Sequence, residues 1–270
     1  MQSRTKRHIL LAGVMLPVAW ALFLPLSGCR TMPSPPRDEP DRLVVAHVMH
    51  QLCIGAEQHP HHSVLSAEPS RPNGIMALHT PEYLPFYRRP IEATAFDVAM
   101  MKEGGINAMA LLFSAVHMNS QFASVIHGYY RAAADDGRMR IFPDIWDPVN
   151  DGGDHAERLR SLRESLGELL RLYPEVWLKR DGRLVVSLYT HHGFRPLPDV
   201  ASFTEELFAS IGGRENVYLV LHSPVELKKH NPDWFAAADA FTEFPSSSYA
   251  RTRHRLRQMY DSVEGTDKTI

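Results

Sequence analysis

Histidine and acidic side chains recur just after short apolar segments of this chain, and their types and positions could support chemistry. The set is His47, His50, Asp144, Asp147, His191, His192, His222 and Glu243. Imidazoles and carboxylates can transfer protons and hydrogen-bond hydroxyl groups, and imidazoles are also ligands of Zn²⁺. These residues can act together only if the chain brings the ends of the apolar segments to one place.

The apolar segments are short and continuous, which is typical of parallel β-strands buried on both faces. We predict six strands, at Leu43–Met49, Ile106–Phe113, Met139–Phe142, Leu184–Tyr189, Val217–Leu221 and Ala240–Phe244. The polar residues then close or follow strands one, three, four, five and six. Because barrel active sites form where strands end, we expect these side chains to converge on one mouth.

Amphipathic segments separate the strands. The clearest predicted helix is His155–Leu172, with leucines on one stripe, Asp154 as its N-cap and Glu157 completing a capping box. A second runs from its predicted N-cap, Thr94, to about Glu103, before Gly104-Gly105. Further helices are expected at about Gln121–Ala134, Ser202–Ile211, Trp234–Ala237 and Tyr249–Val263.

This alternation predicts an α/β fold, a (β/α)₈ TIM-type barrel with about six βα units. A doubly wound open sheet shares the alternation, but the dinucleotide fingerprint that would favour it is missing. A closed barrel needs two more units. The sequence stops at Thr269-Ile270, where a seventh strand is expected, so we predict an incomplete barrel from a truncated chain.

Four segments carry a family resemblance, and they are Val44–Met49, Asp97–Leu111, Arg140–Asp144 and Asp181–Ser187. The first ends with an Ala-His pair and apolar residues, the second contains Gly-Ile-Asn-Ala, the third closes on aspartate and the fourth opens with Asp-Gly. In order and spacing they resemble the N-terminal three-quarters of glycoside hydrolase family 71, the alpha-1,3-glucanases or mutanases. Related retaining endo-mannosidases share similar strands.

The resemblance implies a polysaccharide or oligosaccharide substrate, an alpha-glucan, and no cofactor. Imidazoles and carboxylates would bind sugar hydroxyls, and aromatic rings such as Trp146 and Phe244 would stack on the apolar faces of sugar rings. The predicted substrate-binding residues are His47, Asp144, Trp146, His191, His192, His222 and Glu243.

The catalytic residues are not identified by this resemblance. Glycoside hydrolysis requires two carboxyl groups, and the family places them in an Asp-Trp-Gly-Glu-like element that has no counterpart here. The Asp-x-x-Glu match from Asp154 to Glu157 is predicted to be a capping box. Asp144 and Glu243 remain as weak candidates, and we expect the catalytic pair to lie beyond Ile270, which would leave this chain inactive.

Two other functions remain open. A metal-dependent barrel hydrolase is suggested by the 15 histidines, although His47 and His50 are three apart and both cannot point to the barrel axis without a bulge. We therefore predict no metal site. A lipid-tethered carbohydrate-binding protein without activity is the second alternative, because the acid pair is missing.

The N-terminal segment resembles a bacterial lipoprotein signal. Basic residues precede an uncharged run, Ile9–Leu26, which ends in Leu-Ser-Gly-Cys29. We predict a signal peptide at 1–28, a lipidated Cys29, a proline-rich tether at 29–42 and the barrel at 43–270. Since no aspartate follows Cys29, the expected location is the bacterial cell envelope, lipid-anchored at the outer membrane.

The cysteine content and the net charge limit which disulfide bonds and which partners are expected. Only Cys29 and Cys53 are present, so a lipidated Cys29 leaves no intramolecular disulfide, and Cys53 is predicted to be a buried, inert thiol. The formal net charge is −2, which does not favour nucleic acid as a partner.

Overall fold

One mainly parallel sheet forms the centre of the structure, a computed structural model that describes residues 43–48, 90–118, 122–146, 154–189, 196–243 and 249–270. These residues belong to one unit, spanning 42–270. The strands within them are β1 Val45–Val48, β2 Ala108–Phe113, β3 Arg140–Trp146, β4 Lys179–Arg180, β5 Arg183–Tyr189, β6 Val217–His222 and β7 Ala240–Thr242.

The strand order distinguishes the two predicted architectures. The sheet runs β1-β2-β3-β5-β6-β7 with every neighbouring pair parallel, and β4 forms an antiparallel hairpin with β5. Asp181 and Gly182 close this hairpin at φ 52° and 75°, as a two-residue turn with both residues left-handed requires. Along the described strands the order never reverses, whereas a doubly wound sheet reverses at its switch point.

Helices connect the parallel strands. They are α1 Pro90–Glu103, α2 Ala115–Met118, α3 Phe122–Asp136, α4 His155–Leu172, α5 Val200–Phe208, α6 Pro224–His230, α7 Pro232–Ala237 and α8 Tyr249–Val263. Short 3₁₀ turns follow α5 at Ala209–Ile211 and precede β6 at Arg214–Asn216. No helix in the described part of the chain is both long enough and apolar enough to span a bilayer.

The two faces of the sheet have different neighbours. Met109 and Leu111 of β2 belong to the large core that includes the helices, whereas Ala108 and Ala110 belong to a second cluster. The buried members of that second cluster are Ala108, Ala110, Phe142, Leu178, Val185, Tyr218 and Ala240, and none of them is helical. Helices on one face and a sequential parallel order define an α/β half-barrel, consistent with an incomplete TIM-type barrel.

The structure confirms the predicted order of elements, and α4 and α8 have the predicted bounds. The Asp154 carboxylate accepts a hydrogen bond from the Ala156 N–H at 2.9 Å, so the predicted N-cap is present. Gly105 adopts φ 76° directly after α1, which agrees with the predicted glycine stop.

Three local predictions are wrong. Thr94 is not an N-cap, because α1 begins four residues earlier at Pro90, a residue suited to the first helical turn. Strand β3 does not stop before Pro143 but continues to Trp146, so Asp144 lies inside the strand. His222 is the last residue of β6 and does not follow it.

The last residues of the sequence lie beside β7. Thr269 forms an isolated parallel bridge with Ala240. The Phe241 N–H donates to the Thr269 carbonyl at 2.9 Å, and the Thr269 N–H donates to the Asp239 carbonyl at 3.2 Å. Thr269 therefore occupies the place next to β7 in which a further parallel strand would begin.

Candidate functional site at the carboxyl ends of the strands

Strand register brings polar side chains together on the face of the sheet that carries no helix among the described residues. Asp144 of β3 pairs in register with Ser187 of β5, and two residues further Trp146 pairs with Tyr189. Because side chains on a strand alternate between faces, Asp144 and Trp146 share the face of Phe142, which belongs to the helix-free cluster. The polar layer thus lies above an apolar floor, towards the carboxyl ends of the strands.

Asp144 is the centre of this layer. Its side chain is fully buried, with His222 Nε2 at 3.3 Å from Oδ1 and His47 Nδ1 at 3.5 Å from Oδ2. Ser187 Oγ lies 3.2 Å from the same His222 nitrogen. Asp144, Ser187 and His222 are all inaccessible, whereas 33% of the His47 side chain is exposed. His47 is therefore the member of this group that reaches the surface.

The surroundings of Asp144 keep it ionised. Burial raises the pKa of this carboxyl, but contacts with the polar groups of His222, His47 and Ser187, together with electrostatic attraction to His222, outweigh burial and hold the pKa well below its usual range. An ionised carboxylate can only accept hydrogen bonds, so His222 Nε2, at 3.3 Å from Oδ1, is the donor in that contact. For His47, Nδ1 faces the carboxylate at 3.5 Å, which leaves Nε2 as the second polar atom of the ring.

A serine, a histidine and an aspartate in contact suggest a catalytic triad, but the geometry differs from one. In a triad the serine and the aspartate bind opposite nitrogens of the imidazole. Here Ser187 Oγ and Asp144 Oδ1 both approach Nε2 of His222, and Ser187 is fully buried. The arrangement holds a carboxylate in place and does not activate Ser187 as a nucleophile.

Aromatic rings border this buried group. The rings of Trp146 and Tyr189 are 4.9 Å apart at 43°, and both residues are half-buried. Tyr189 meets His222 edge to face at 4.9 Å and 87°, and His222 in turn meets His47 at 6.1 Å and 72°. The partly exposed Trp146, Tyr189 and His47 therefore connect to Asp144 through one continuous set of contacts.

Glu243 has a different environment from the one predicted by topology alone. It directly follows β7, and its Oε1 lies 3.4 Å from Nη1 of Arg255 on α8. The Glu243 side chain is 14% exposed. This ion pair links the end of β7 to the outer helix layer.

Several predicted site residues lie outside the described residues: His50, Asp147, His191, His192 and the stacking candidate Phe244. Cys29 and Cys53 lie outside them as well. Sequence reasoning missed Ser187 and Tyr189. The signal was available, because both occupy alternate positions on the predicted strand Leu184–Tyr189 and so face the same side.

The described residues offer no cluster of three or more His, Cys, Asp or Glu side chains arranged to hold a metal ion. Asp144 contacts both His222 and His47. These contacts make the carboxylate the group against which the two imidazole rings are placed.

Fold and site together define a parallel α/β half-barrel with a polar and aromatic site at the carboxyl ends of its strands. No protein-family model matches the sequence, and no curated protein matches it. Among solved structures, the chain is similar to a GH99 endo-alpha-mannosidase from Bacteroides thetaiotaomicron, with a TM-score of 0.45 and 17% identity. The alignment covers 66% of this chain and 54% of that enzyme, so the chain spans about half of its length.

Proposed function

We propose that this chain is the sugar-binding part of a glycoside hydrolase-like protein that acts on an alpha-glucan. The observation that carries the proposal is the ionised, buried Asp144 between His47 and His222, bordered by the rings of Trp146 and Tyr189. Sugars have hydroxyl edges and apolar ring faces, so a site of oriented imidazoles beside aromatic rings matches both.

Each side chain has a separate part in this proposal. Trp146 and Tyr189 provide the stacking surface, because both are partly exposed. His47 hydrogen-bonds a sugar hydroxyl, since it is the exposed member of the Asp144 group. Asp144 is a positioning residue, because a fully buried carboxylate acts on the sugar only through the ring that it holds. The alpha-1,3 linkage is proposed from the four sequence segments.

Cleavage of the glycosidic bond needs a different arrangement of side chains. An acid and a nucleophile or base must flank the glycosidic bond. Asp144 is buried and held by two imidazoles, and Glu243 is paired with Arg255. We therefore propose that the catalytic carboxylates lie outside the described residues. Because the acid pair of the resembled family has no counterpart in this sequence, we also propose that this chain binds sugar without cleaving it. We also propose attachment to the bacterial cell envelope through lipidated Cys29.

Calorimetric titration of the full chain with alpha-1,3-linked glucan oligosaccharides tests this proposal, with beta-1,4-linked oligosaccharides as the comparison. We expect saturable binding of the alpha-linked series only. His47→Gln should weaken binding roughly tenfold, the effect of about one hydrogen bond. His230→Gln is the matched control, because His230 lies on α6 and pairs with Glu226 at 3.6 Å.

Chromatography of the same mixtures separates binding from hydrolysis. Intact oligosaccharides after long incubation support a chain that binds without cleaving, and released shorter sugars contradict that part of the proposal. If neither oligosaccharide series binds, the proposed sugar site itself is wrong. A permanently inactive binding protein is the second candidate, favoured by the complete burial of Asp144. Sugar binding without hydrolysis by the protein isolated from its native cell would favour this second candidate.

A further inference from the structure

The outer helix α8 concentrates positive charge in a chain that is otherwise slightly acidic. Its arginines are Arg251, Arg253, Arg255 and Arg257, with His254 between them, and no acidic residue occurs from Tyr249 to Tyr260. The whole chain has 29 Lys and Arg residues against 31 Asp and Glu residues. The positive charge of α8 is therefore local and needs its own explanation.

Burial shows which side of α8 faces outwards. Met259 and Val263 are buried against the core, and Arg255 is directed to Glu243 at the end of β7. Four exposed residues recur at helical spacing beside this buried side: Arg253, Leu256, Arg257 and Tyr260. We call these four residues the outer face of α8.

This outer face is apolar as well as basic. Leu256 is 38% exposed and Tyr260 is 60% exposed, which makes Tyr260 the most exposed of the large apolar side chains of the described residues. Arg253 lies one helical turn before Leu256, and Arg257 lies one helical turn before Tyr260. Single exposed apolar residues are common, but an apolar pair one helical turn apart and flanked by guanidinium groups is a composite surface.

The neighbouring helix α6 extends the positive surface. Lys228 and Lys229 are exposed, and Lys228 Nζ donates to the Ser262 carbonyl of α8 at 2.6 Å, which joins the two helices. The acidic residues nearby are Glu226 on α6, paired with His230, and Asp261 and Glu264 at the far end of α8. From Arg253 to Tyr260, the exposed charged side chains of α8 are therefore all basic.

We propose that the outer face of α8 docks on a membrane surface containing anionic phospholipids. Guanidinium groups bind lipid phosphates, and Tyr260 and Leu256 fit the boundary between headgroups and acyl chains. A helix that combines basic and apolar residues is typical of membrane-surface contact. A purely polyanionic partner would use the arginines and leave the exposed apolar pair unexplained.

Hydroxyl-radical footprinting of the full chain on vesicles tests this contact at the residues concerned. The readout is the oxidation rate of Tyr260 and Leu256 relative to Met100, an exposed reference side chain on α1. We expect strong protection on phosphatidylcholine vesicles that contain phosphatidylglycerol and none on pure phosphatidylcholine. Because the readout is local, attachment through the N-terminal segment does not affect it.

Arginine variants then test the role of charge. R253Q/R257Q should lower the equilibrium constant for surface contact roughly 25-fold, about fivefold for each arginine near an anionic surface. The matched control R160Q/R171Q removes two exposed arginines from α4 and should leave the protection unchanged. High salt should weaken the contact in the wild type, because salt screens surface charges.

Three results would overturn the proposal. Equal protection on neutral vesicles would show that charge does not matter, and protection by a soluble polyanion such as dextran sulfate but not by vesicles would assign a different partner. Protection without vesicles that increases with protein concentration would assign the face to a second copy of the chain. Circular dichroism of both variants shows whether they remain folded.

Discussion

His222 and Tyr189 meet edge to face, with ring centroids 4.9 Å apart and planes at 87°. His222 is fully buried and contacts Asp144, whereas Tyr189 is half-buried beside Trp146. This contact joins the ionised centre of the site to the ring surface on which we place the sugar. Disturbing the Tyr189 ring should therefore affect both ligand binding and the packing of His222.

The Tyr189 ring is expected to matter more than its hydroxyl. Tyr189→Ala should weaken binding of alpha-linked oligosaccharides by about tenfold, because an aromatic contact contributes roughly 0.5–1.5 kcal/mol beyond its buried area. Tyr189→Phe keeps the ring and should bind within about threefold of the wild type. Calorimetric titration measures both. Equal losses in the two variants would assign the contribution to the hydroxyl group.

Asp144 should stabilise the fold as well as the site. Replacing it by Asn removes the charge that His47 and His222 bind and should destabilise the chain by about 2 kcal/mol at neutral pH. Urea unfolding measures this free energy. Asp233→Asn is the control, because Asp233 is exposed on α7, and it should have little effect.

The pH dependence of the Asp144 contribution follows from its lowered pKa. In the unfolded chain an aspartate titrates at about 3.9. The stabilisation is therefore fully present above that pH and is lost as the pH falls through the lower, folded-state pKa. Unfolding measured from neutral to acid pH should show that Asp144→Asn lacks this acid-sensitive component. Parallel curves for the two proteins would contradict the prediction.

Asp97 is expected to behave in the opposite way. Burial raises the pKa of its carboxyl, although a 2.6 Å hydrogen bond from Tyr129 partly opposes this. A raised pKa means that stability is greatest below the unfolded value and is lost as the pH rises through the folded-state value. Asp97→Asn can keep the hydrogen bond from Tyr129 without a buried charge. At neutral pH its free energy of unfolding should therefore equal that of the wild type or exceed it by less than about 1 kcal/mol.

Tyr129→Phe is the companion variant for this prediction. Phenylalanine fills the same space but leaves the Asp97 carboxylate without the donor on α3, which should destabilise the chain by roughly 1–3 kcal/mol. Thermal and urea unfolding at neutral pH compare the two variants. A clear loss of stability in Asp97→Asn would show that the charge is favourable in this position.

Close packing of α1 and α3 depends on Gly128. A methyl group added there would lie 2.9 Å from Oγ1 and 3.1 Å from Cγ2 of the buried Thr94. Gly128→Ala should therefore cost roughly 1–3 kcal/mol from overpacking, despite the better helix propensity of alanine. Adding Thr94→Ala should restore part of the loss. A double-mutant cycle by urea unfolding measures this coupling, and additive effects would show that the two residues do not contact each other.

Much of the element order could be read from the sequence because hydrophobic periodicity depends on neighbouring residues. The stripe of leucines and the Asp154 cap predicted α4 with its observed bounds, and the continuous apolar runs predicted the buried parallel strands. Local sequence signals gave a wrong prediction at two positions. The third strand was predicted to end at Phe142, yet it continues to Trp146, and Thr94 was predicted to be a cap, yet it packs against Gly128.

The sequence by itself determined that polar residues lie near the carboxyl ends of buried strands, and hence that His47, Asp144 and His222 could meet. Only the tertiary structure decided that both imidazoles contact one buried carboxylate, that Ser187 and Tyr189 join them, and that Glu243 pairs with Arg255. The reason is physical: these contacts depend on the register of strands distant in sequence and on the direction of each side chain. Periodicity predicts which face a residue occupies, but it does not predict the partner across the sheet.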